Sequence, residues 1–340
     1  MEKVYFYDKL SDLKSGVNRF FEIISKDFGK ENVGFKIHFG EGENDTHINP
    51  KLLSDIKKYF KKPKFVECNV LYRGTRTRKT DHLITAKKHG FDFIEIDILD
   101  GEWGEETLEV PIKTKNTKIA KLGKGLEKYK KLVALTHFKG HRMSGFGGAI
   151  KNVGMGLGSR GGKLDMHSSV SPKIDTGSCV SCGICVKNCP TGGIQLTKKA
   201  KINQEKCIGC AMCIAICPNS AINTDFHNSK KLMEKMAEYT LAAIKGRKWW
   251  YINFLTNITH LCDCKGTKQK PFMKDIGILL SKDPVAIDQA SLDLVIKNTG
   301  FDPFKREHGV DGSYILEYGE EIGLGKRKYK IISIKSQSGE

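Results

Sequence analysis

Eight of the eleven cysteines in this 340-residue sequence form two copies of one pattern, Cys-x2-Cys-x2-Cys-x3-Cys-Pro. The copies are 28 positions apart and consist of Cys179, Cys182, Cys185, Cys189 and Pro190, and of Cys207, Cys210, Cys213, Cys217 and Pro218. Three thiols separated by two residues each can face one centre only if the backbone curls around it. The proline then ends the curl, because it fixes φ and has no N–H group. The repeat therefore constrains the local fold more tightly than any other feature of the chain.

This spacing is typical of bacterial two-cluster ferredoxins, in which the fourth cysteine of each run binds the cluster of the other run. We therefore predict two [4Fe–4S] clusters, one bound by Cys179, Cys182, Cys185 and Cys217, and one bound by Cys207, Cys210, Cys213 and Cys189. Structural zinc and disulfides are the alternatives. Zinc sites usually lack the third close cysteine. Thiolate clusters fit a reducing interior, so we expect a cytoplasmic protein.

The length of the chain exceeds that of most single domains, so at least two folding units are expected. Strand-like and helix-like patterns alternate on both sides of the cysteine repeat, which favours an α/β domain with a largely parallel sheet. Neither flank of the cysteine repeat has enough strands to form a complete α/β domain alone. We therefore predict one α/β domain that is split in sequence, residues 1–172 and 226–340, with an inserted α+β ferredoxin-type domain at residues 173–225. No apolar run approaches the length that spans a membrane.

The formal net charge of +18 raises the question of a polyanionic partner. Two clusters, each held by four thiolates, would lower the charge to about +14. Most of the excess is lysine outside the cysteine repeat, in runs with little aromatic interleaving. Solvated lysine faces account for such runs, so we expect neither nucleic acid nor a membrane as a partner. The expected partners are a redox partner protein or a small anionic substrate.

Polar loops follow four of the predicted strands. The strands at residues 33–39, 65–71, 132–138 and 249–255 each end next to histidine, arginine or cysteine residues. In open α/β sheets, ligands bind beyond the carboxyl ends of the strands. If these strands are parallel, the four loops are therefore predicted to converge on one cleft.

One of these loops contains Cys262-Asp-Cys264. Two thiols two residues apart can share one metal, and His137 and His141 could complete a tetrahedral site or transfer protons. The alternative is a pair of free, partly buried thiols. A third metal site, thiol redox chemistry and inert thiols all remain open at this point.

The segment from residue 140 to residue 162 holds nine glycines in 23 residues. Glycine lets backbone N–H groups approach an anion closely, as in phosphate-binding loops. We therefore predict an anion cradle that consists of Gly145, Gly147, Gly148, Gly156, Arg73, Arg76 and Arg78. The alternative is a segment that packs the inserted domain against its host. The sequence neither requires nor excludes a flavin.

Seven short motifs are distributed along the chain: Lys36-Ile-His-Phe-Gly-Glu41, Thr46-His-Ile-Asn-Pro50, His137-Phe-Lys-Gly-His141, Gly145-Phe-Gly-Gly-Ala-Ile-Lys-Asn-Val-Gly-Met-Gly156, Gly162-Lys-Leu-Asp-Met-His167, Cys262-Asp-Cys264 and Asp283-Pro-Val-Ala-Ile-Asp288. These motifs resemble those of the DUF362 family, a family of domains of unknown function. The resemblance extends over nearly the whole chain. It implies a split α/β domain with a ferredoxin insert and a redox role. It implies no catalytic residues.

Together, these features predict an iron–sulfur oxidoreductase that transfers electrons through two [4Fe–4S] clusters to a substrate or metal site in the cleft of the α/β domain. His137 and His141 are the candidates for proton transfer or metal ligation, and Cys262 and Cys264 are the candidate ligands of the third site. The alternative is a non-catalytic electron carrier, or an iron–sulfur assembly or activation factor, whose α/β domain only docks a partner.

Overall fold

A computed structural model of the chain describes residues 1–168, 172–224 and 228–334. The described residues form sixteen strands: β1 (Glu2–Tyr7), β2 (Val33–Ile37), β3 (Lys64–Glu67), β4 (Glu95–Ile98), β5 (Thr107–Pro111), β6 (Ile119–Gly123), β7 (Lys131–His137), β8 (Lys139–His141), β9 (Gly145–Gly147), β10 (Lys173–Ile174), β11 (Ile194–Leu196), β12 (Ala200–Ile202), β13 (Ile222–Asn223), β14 (Lys248–Leu255), β15 (Gly277–Ser281) and β16 (Tyr329–Ser333).

The same residues form eleven α-helices: α1 (Leu13–Phe28), α2 (Ile56–Tyr59), α3 (Lys79–Lys88), α4 (Ala149–Leu157), α5 (Arg160–His167), α6 (Ile184–Lys187), α7 (Met212–Ile216), α8 (Ser229–Ile244), α9 (Pro284–Thr299), α10 (Pro303–His308) and α11 (Ser313–Glu321). Short 3-10 helices occur at Leu10–Asp12, Pro50–Leu53 and Lys124–Lys128. None of the described helices is long and apolar enough to cross a membrane.

The centre of the molecule is an eight-stranded sheet with the order β16-β1-β15-β14-β7-β2-β3-β4. Within it, β15 runs antiparallel to both of its neighbours, and the other seven strands share one direction. The predicted α/β fold with a largely parallel sheet is therefore confirmed. Five of the strands precede the cysteine repeat and three follow it, so the sheet is split in sequence.

The sheet separates two apolar cores because its strands bury both faces. On β7, Leu132 and Ala134 face one core, whereas Val133 and Leu135 face the other. Helices α4, α8, α9 and α11 pack on the core that contains Leu132 and Ala134, and helix α1 packs on the core that contains Val133 and Leu135. Such nearly continuous apolar strands are typical of parallel sheets that are covered on both sides.

The segment 172–224 forms its own small unit with two antiparallel strand pairs, β10 with β13 and β11 with β12. Its backbone repeats with the cysteines, since left-handed φ values recur 28 residues apart. The pairs are Ser181 and Gly209, Gly183 and Ala211, and Gly192 and Ser220. The predicted boundary between residues 172 and 173 directly precedes β10, whereas the one between residues 225 and 226 lies outside the described residues.

Candidate functional site

The four polar loops meet in one cavity beyond the carboxyl ends of β2, β3, β7 and β14. This central cavity holds roughly 830 Å³ of space free of protein atoms. Each loop contributes to its wall, through His38, Arg76, His141, and the pair Cys262 and Cys264. The predicted convergence of the four loops is therefore confirmed. It occurs because β14, β7, β2 and β3 lie side by side and run in parallel.

The wall of the central cavity is rich in positive charge. Five cationic side chains line it, against one acidic side chain, Glu67; the cations are Lys36, Arg76, Lys139, Lys151 and Lys163. Lys36 is fully buried and forms an ion pair of 3.0 Å with Glu67. Burial lowers the pKa of Lys36, and the neighbouring Glu67 carboxylate opposes that effect. The pairing removes part of the charge, and the cavity keeps an excess of positive charge.

The arginine of the cavity wall, Arg76, is almost completely buried, with 1% of its surface exposed. Its Nε donates to Glu41 over 3.1 Å. Its Nη2 is buried and has no hydrogen-bond partner among the described groups. A buried donor without an acceptor is costly. An anion in the cavity would supply the missing acceptor.

Cys262 and Cys264 lie in a turn that follows β14, closed by a hydrogen bond of 3.0 Å from the Lys265 N–H to the Cys262 carbonyl. The Nζ of Lys151, on α4, lies 3.5 Å from the Cys262 Sγ. A hydrogen bond with Cys264, followed by the charge of Lys151, lowers the pKa of Cys262 well below its ordinary value despite burial. The hydrogen bond with Cys262, together with burial, raises the pKa of Cys264. The opposite shifts favour a thiolate at Cys262 and a thiol at Cys264 in the reduced pair.

Asp263 points away from the two sulfurs into the protein. Its carboxylate lies 2.9 Å from the Nδ1 of His137 and 3.3 Å from the Nζ of Lys139. Burial favours the neutral acid, but His137 and Lys139 outweigh it and hold the pKa of Asp263 well below its ordinary value. The Nε2 of His137 faces the Asn257 carbonyl at 3.2 Å. His137 therefore anchors the turn and does not line the central cavity, contrary to the predicted site in which it joins the two cysteines.

His141 lines the central cavity together with the two cysteines. Its Nδ1 lies 3.3 Å from the Met143 N–H and 2.8 Å from the Ser144 hydroxyl, which itself donates to the Phe146 carbonyl. Burial, followed by the charge of Lys151, lowers its pKa well below the ordinary value. The ring is therefore neutral. His38 resembles it, because its Nδ1 accepts the Gly40 N–H at 3.1 Å and burial also lowers its pKa.

The glycine-rich segment forms β9 and two helices, α4 and α5. Gly147, Gly148 and Gly156 line the cavity as predicted. The backbone donors that follow Gly148 are not free for an anion, however. The N–H groups of Ala149 and Ile150 donate to the buried carboxylate of Asp288 at 2.7 and 2.9 Å. These two N–H groups are therefore not available to an anion, contrary to the predicted backbone cradle, and the cationic side chains are the groups that could hold one.

Other glycines of the segment permit close packing, Gly154 within the α/β domain and Gly161 against the inserted unit, and the second contact is the kind that the alternative interpretation proposed. A Cβ on Gly154 would lie 2.2 Å from the Met236 carbonyl of α8, and one on Gly161 would lie 3.3 Å from the Gly209 carbonyl in the cysteine-rich unit. Gly145 contacts Gly312 and does not line the central cavity.

Two of the three predicted arginines also lie elsewhere. Arg73 donates through Nη1 to the carbonyl of Pro218 in the cysteine-rich unit. Arg78 forms ion pairs with Asp81 and Glu102 and stacks on Trp103. These partners hold both side chains outside the cavity. Of the predicted arginines, Arg76 alone lines it.

The cysteine-rich unit contains two small cavities of its own. One holds roughly 370 Å³ of space free of protein atoms and is lined by Cys179, Cys182, Cys185 and Cys217. The other holds roughly 380 Å³ and is lined by Cys189, Cys207, Cys210 and Cys213. Each cavity therefore combines three cysteines of one run with the fourth cysteine of the other run, which is the grouping that the spacing predicts.

A larger cavity lies between the cysteine-rich unit and the α/β domain and holds roughly 1330 Å³. Ile214 and Ile222 line it from the unit, and Cys262, Cys264 and His141 line it from the α/β domain. Ile222 also lines the cavity of Cys179, Cys182, Cys185 and Cys217. One isoleucine side chain thus borders both that cysteine quartet and the space that leads to the Cys262 and Cys264 pair.

The described residues contain no group of three or more His, Cys, Asp or Glu side chains placed around a single metal ion. A single zinc ion needs sulfurs at about 2.3 Å. A cubane cluster spreads its ligands around a larger body. The predicted third metal site would therefore have to be built from Cys262 and Cys264 without His137.

Lys36 and Lys139 are the cavity lysines that sequence reasoning missed. Lys36 occupies a strand that is otherwise apolar, and Lys139 follows His137 within a motif already singled out. A lysine in a buried strand was the available signal, because such a residue needs a partner or a ligand. Lys151 and Lys163 accompany the glycine-rich segment that is predicted to bind an anion, although they lie on helices, where lysine is usually exposed.

Fold and site together define a class of protein: a split α/β domain with a cation-lined cavity and a cysteine-rich insert beside it. The chain belongs to the DUF362 family, described as a domain of unknown function, whose family model matches residues 33–293. The resemblance stated from the motifs is thus confirmed at the level of this family.

Two solved structures show a distant likeness. The lactate racemase apoprotein from Thermoanaerobacterium thermosaccharolyticum is 16% identical with a TM-score of 0.40, over 75% of this chain and 51% of that one. A structural-genomics protein from Thermotoga maritima is 11% identical with a TM-score of 0.44, over 86% of this chain and 59% of that one. The chain spans only about half to three fifths of these proteins, and likeness at this level carries no functional argument. No curated protein matches the chain.

Proposed function

We propose that this chain is an iron–sulfur redox protein that transfers electrons through two [4Fe–4S] clusters to a small anionic substrate in the central cavity. The observation that carries the proposal is the grouping of the eight cysteines into two quartets, each around its own cavity. The quartets exchange their fourth members, as in two-cluster ferredoxins. An arrangement for structural zinc would not require this exchange.

The donor set fits such clusters chemically. Each cavity presents four thiol sulfurs and otherwise mainly apolar or small side chains, such as Ile194, Ala211 and Ala221. The Ala221 N–H donates to the Cys217 Sγ at 3.3 Å. Hydrogen bonds to cluster sulfurs and exclusion of water are the means by which a protein tunes a cluster. When bound, each cluster supplies a one-electron redox couple.

The charge of the central cavity favours an anionic substrate. Five cations line it, and the unpaired Nη2 of Arg76 is a buried donor that an anionic oxygen could satisfy. The neutral ring of His38, whose Nδ1 accepts the Gly40 N–H, carries its proton on Nε2 and could donate to the same ligand. A pure electron carrier has no need of such a cavity, which is why we favour a substrate over the carrier or assembly-factor alternative.

The first experiment is the measurement of iron, acid-labile sulfide and zinc in protein purified without oxygen. We expect about eight iron and eight sulfide per chain and no stoichiometric zinc. Far less iron under rigorous exclusion of oxygen, or about two zinc per chain, would overturn the proposal.

Paired substitutions test the exchange of the fourth cysteine. Cys182→Ala with Cys217→Ala removes two ligands of one predicted cluster and should leave about four iron per chain. Cys210→Ala with Cys217→Ala is the matched control, because it removes one ligand from each cluster and should deplete both. If the first pair depletes both clusters and the second spares one, the quartets are grouped by run and our assignment is wrong.

The substrate part of the proposal is tested separately, by measuring how tightly the purified protein binds small anions. Arg76→Met should weaken the binding of inorganic phosphate or a simple carboxylate, whereas Arg73→Met should leave it unchanged because Arg73 lies outside the cavity. If both variants and the parent bind the anion equally well, the proposed substrate site is wrong and the electron-carrier alternative is favoured.

A further inference from the structure

The proposed function leaves the Cys262 and Cys264 pair without a task. The two residues occupy the first and third positions of a turn, so their Cα atoms are closer than the limit of about 7 Å for two extended residues. Disulfides need a Cα separation of about 4.4–6.8 Å. Both side chains line the same two cavities, which means that they point to the same side of the turn.

The residue between them keeps them there. Asp263 is fully buried on the opposite side, where it contacts His137 and Lys139. Its backbone carbonyl also accepts the Glu41 N–H at 3.0 Å. Since the middle residue is anchored on one side, its two neighbours face the other. Asp263 is therefore a positioning residue for the sulfur pair.

The surroundings favour thiol chemistry over a third metal. Both ring nitrogens of His137 face other groups, and the Nδ1 of His141 contacts the Met143 N–H and the Ser144 hydroxyl within its own loop. Two sulfurs alone do not make a tetrahedral site. Lys151, at 3.5 Å from the Cys262 Sγ, stabilises a thiolate there, and thiolates are the reactive form in disulfide exchange.

We propose that Cys262 and Cys264 form a redox-active dithiol–disulfide pair that relays two electrons between the clusters and the ligand of the central cavity. In the reductive direction the S–S bond breaks and each sulfur gains one electron. One proton binds the Cys264 sulfur, and the Cys262 sulfur becomes a thiolate beside the Lys151 ammonium. The source of the electrons, two reduced [4Fe–4S] clusters of one electron each, rests on the proposed function, whereas the dithiol itself does not.

The position of the pair agrees with that task. The cavity between the unit and the α/β domain is lined by both sulfurs and by Ile222, which also lines the cavity of Cys179, Cys182, Cys185 and Cys217. That quartet therefore binds the cluster nearer to the pair. A two-electron couple also converts two one-electron transfers into one two-electron step at the substrate.

The pair can be observed directly in the full chain by acid quenching and alkylation. Trypsin cleavage after Lys248 and Lys265 gives one peptide whose two cysteines are 262 and 264. In protein equilibrated anaerobically with oxidised and reduced dithiothreitol, we expect this peptide to change between an internal disulfide and two alkylated thiols as the ratio changes. Two alkylated thiols at every ratio would overturn the proposal.

Electron counting tests the connection to the clusters. With disulfide present, reductive titration should consume about four electrons per chain, two for the clusters and two for the disulfide. Cys264→Ser should lower this to about two at unchanged iron content. Cys68→Ser, at a buried cysteine outside the quartets and the pair, is the matched control and should still take about four.

The outcomes separate the two proposals. Low iron with a reversible disulfide peptide would refute the clusters and keep the dithiol. Full iron with a peptide that is always reduced, or with equal electron counts in the parent and Cys264→Ser, would refute the dithiol relay and keep the clusters.

Discussion

The molecule holds two kinds of cysteine site, and they are built in opposite ways. In the inserted unit, eight cysteines lie between positions 179 and 217, and the left-handed backbone positions around them recur at the same 28-residue interval. In the α/β domain, Cys262 is completed by Lys151, 111 positions earlier, and Asp263 by His137, 126 positions earlier. The first site depends on local conformation, whereas the second exists only once the sheet has formed.

The sharpest way to test this contrast is to remove one aspartate from each site. Asp263→Ala leaves His137 and Lys139 buried without their carboxylate, so we expect a loss of about 4 kcal/mol in the free energy of unfolding. Because the folded pKa of Asp263 lies below its ordinary value, its stabilisation is present above about pH 4 and is lost as the pH falls further. Urea unfolding of the α/β domain at pH 7 and at low pH measures both effects.

Asp175→Ala is the matched control in the inserted unit. Asp175 is exposed and accepts hydrogen bonds from Gly177 and Ser178, two and three positions away. Loss of these local bonds should cost about 1 kcal/mol or less. Asp263→Ala should leave the cysteine quartets intact, so a parallel loss of iron from that variant would show that the two sites are not independent.

How far the sequence predicts each site follows from the same contrast. The quartets are predictable because the spacing alone dictates the curl. The convergence of four loops is predictable as well, since the carboxyl ends of parallel strands meet at one edge. Strand direction alone brings the loops that carry His38, Arg76, His141 and the two cysteines to one edge of the sheet.

The contents of the central cavity were not predictable in the same detail. The glycine-rich segment resembles an anion cradle because the sequence does not reveal that Asp288, 139 positions from Ala149, takes the free N–H groups of α4. Arg73 and Arg78 lie within three positions of Arg76, yet the Pro218 carbonyl, 145 positions away, holds Arg73 outside the cavity and the nearby Asp81 holds Arg78 there. Which side chain of a loop turns inward depends on long-range partners, and these follow from the tertiary fold.

A smaller effect concerns the reactivity of Cys262. A hydrogen bond with Cys264 and the charge of Lys151 lower its pKa, so thiolate persists below the ordinary thiol range of about 8.5. Lys151→Met removes that charge and should raise the pKa of Cys262. The thiolate is the nucleophile. In the reduced protein, alkylation of Cys262 at pH 7, followed on the 249–265 peptide, should therefore slow severalfold, and the rate should rise only at higher pH.

Lys163→Met is the control for this measurement. Lys163 lines the same cavity, but its Nζ donates to the carbonyls of Gly156 and Gly158 rather than to sulfur. Its loss should leave the alkylation profile of Cys262 almost unchanged. Equal slowing in both variants would mean that the general positive charge of the cavity, and not contact with Lys151, sets the reactivity.

The smallest expected effect tests the equivalence of the two halves of the inserted unit. Gly183 has a φ of +72°, and Ala211, its counterpart 28 positions later, has a φ of +57°. Since one half already accepts an alanine in this left-handed conformation, Gly183→Ala should cost only about 1 kcal/mol. A Cβ there would lie 3.8 Å from Leu196, which is an ordinary contact.

Gly192→Ser is a second case, because its counterpart is Ser220. Denaturant unfolding and iron content of both variants measure the result. A loss well above 2 kcal/mol, or depletion of iron, would mean that equal cysteine spacing does not impose equal local structure, and the contrast between the two kinds of site would then fail on its local side.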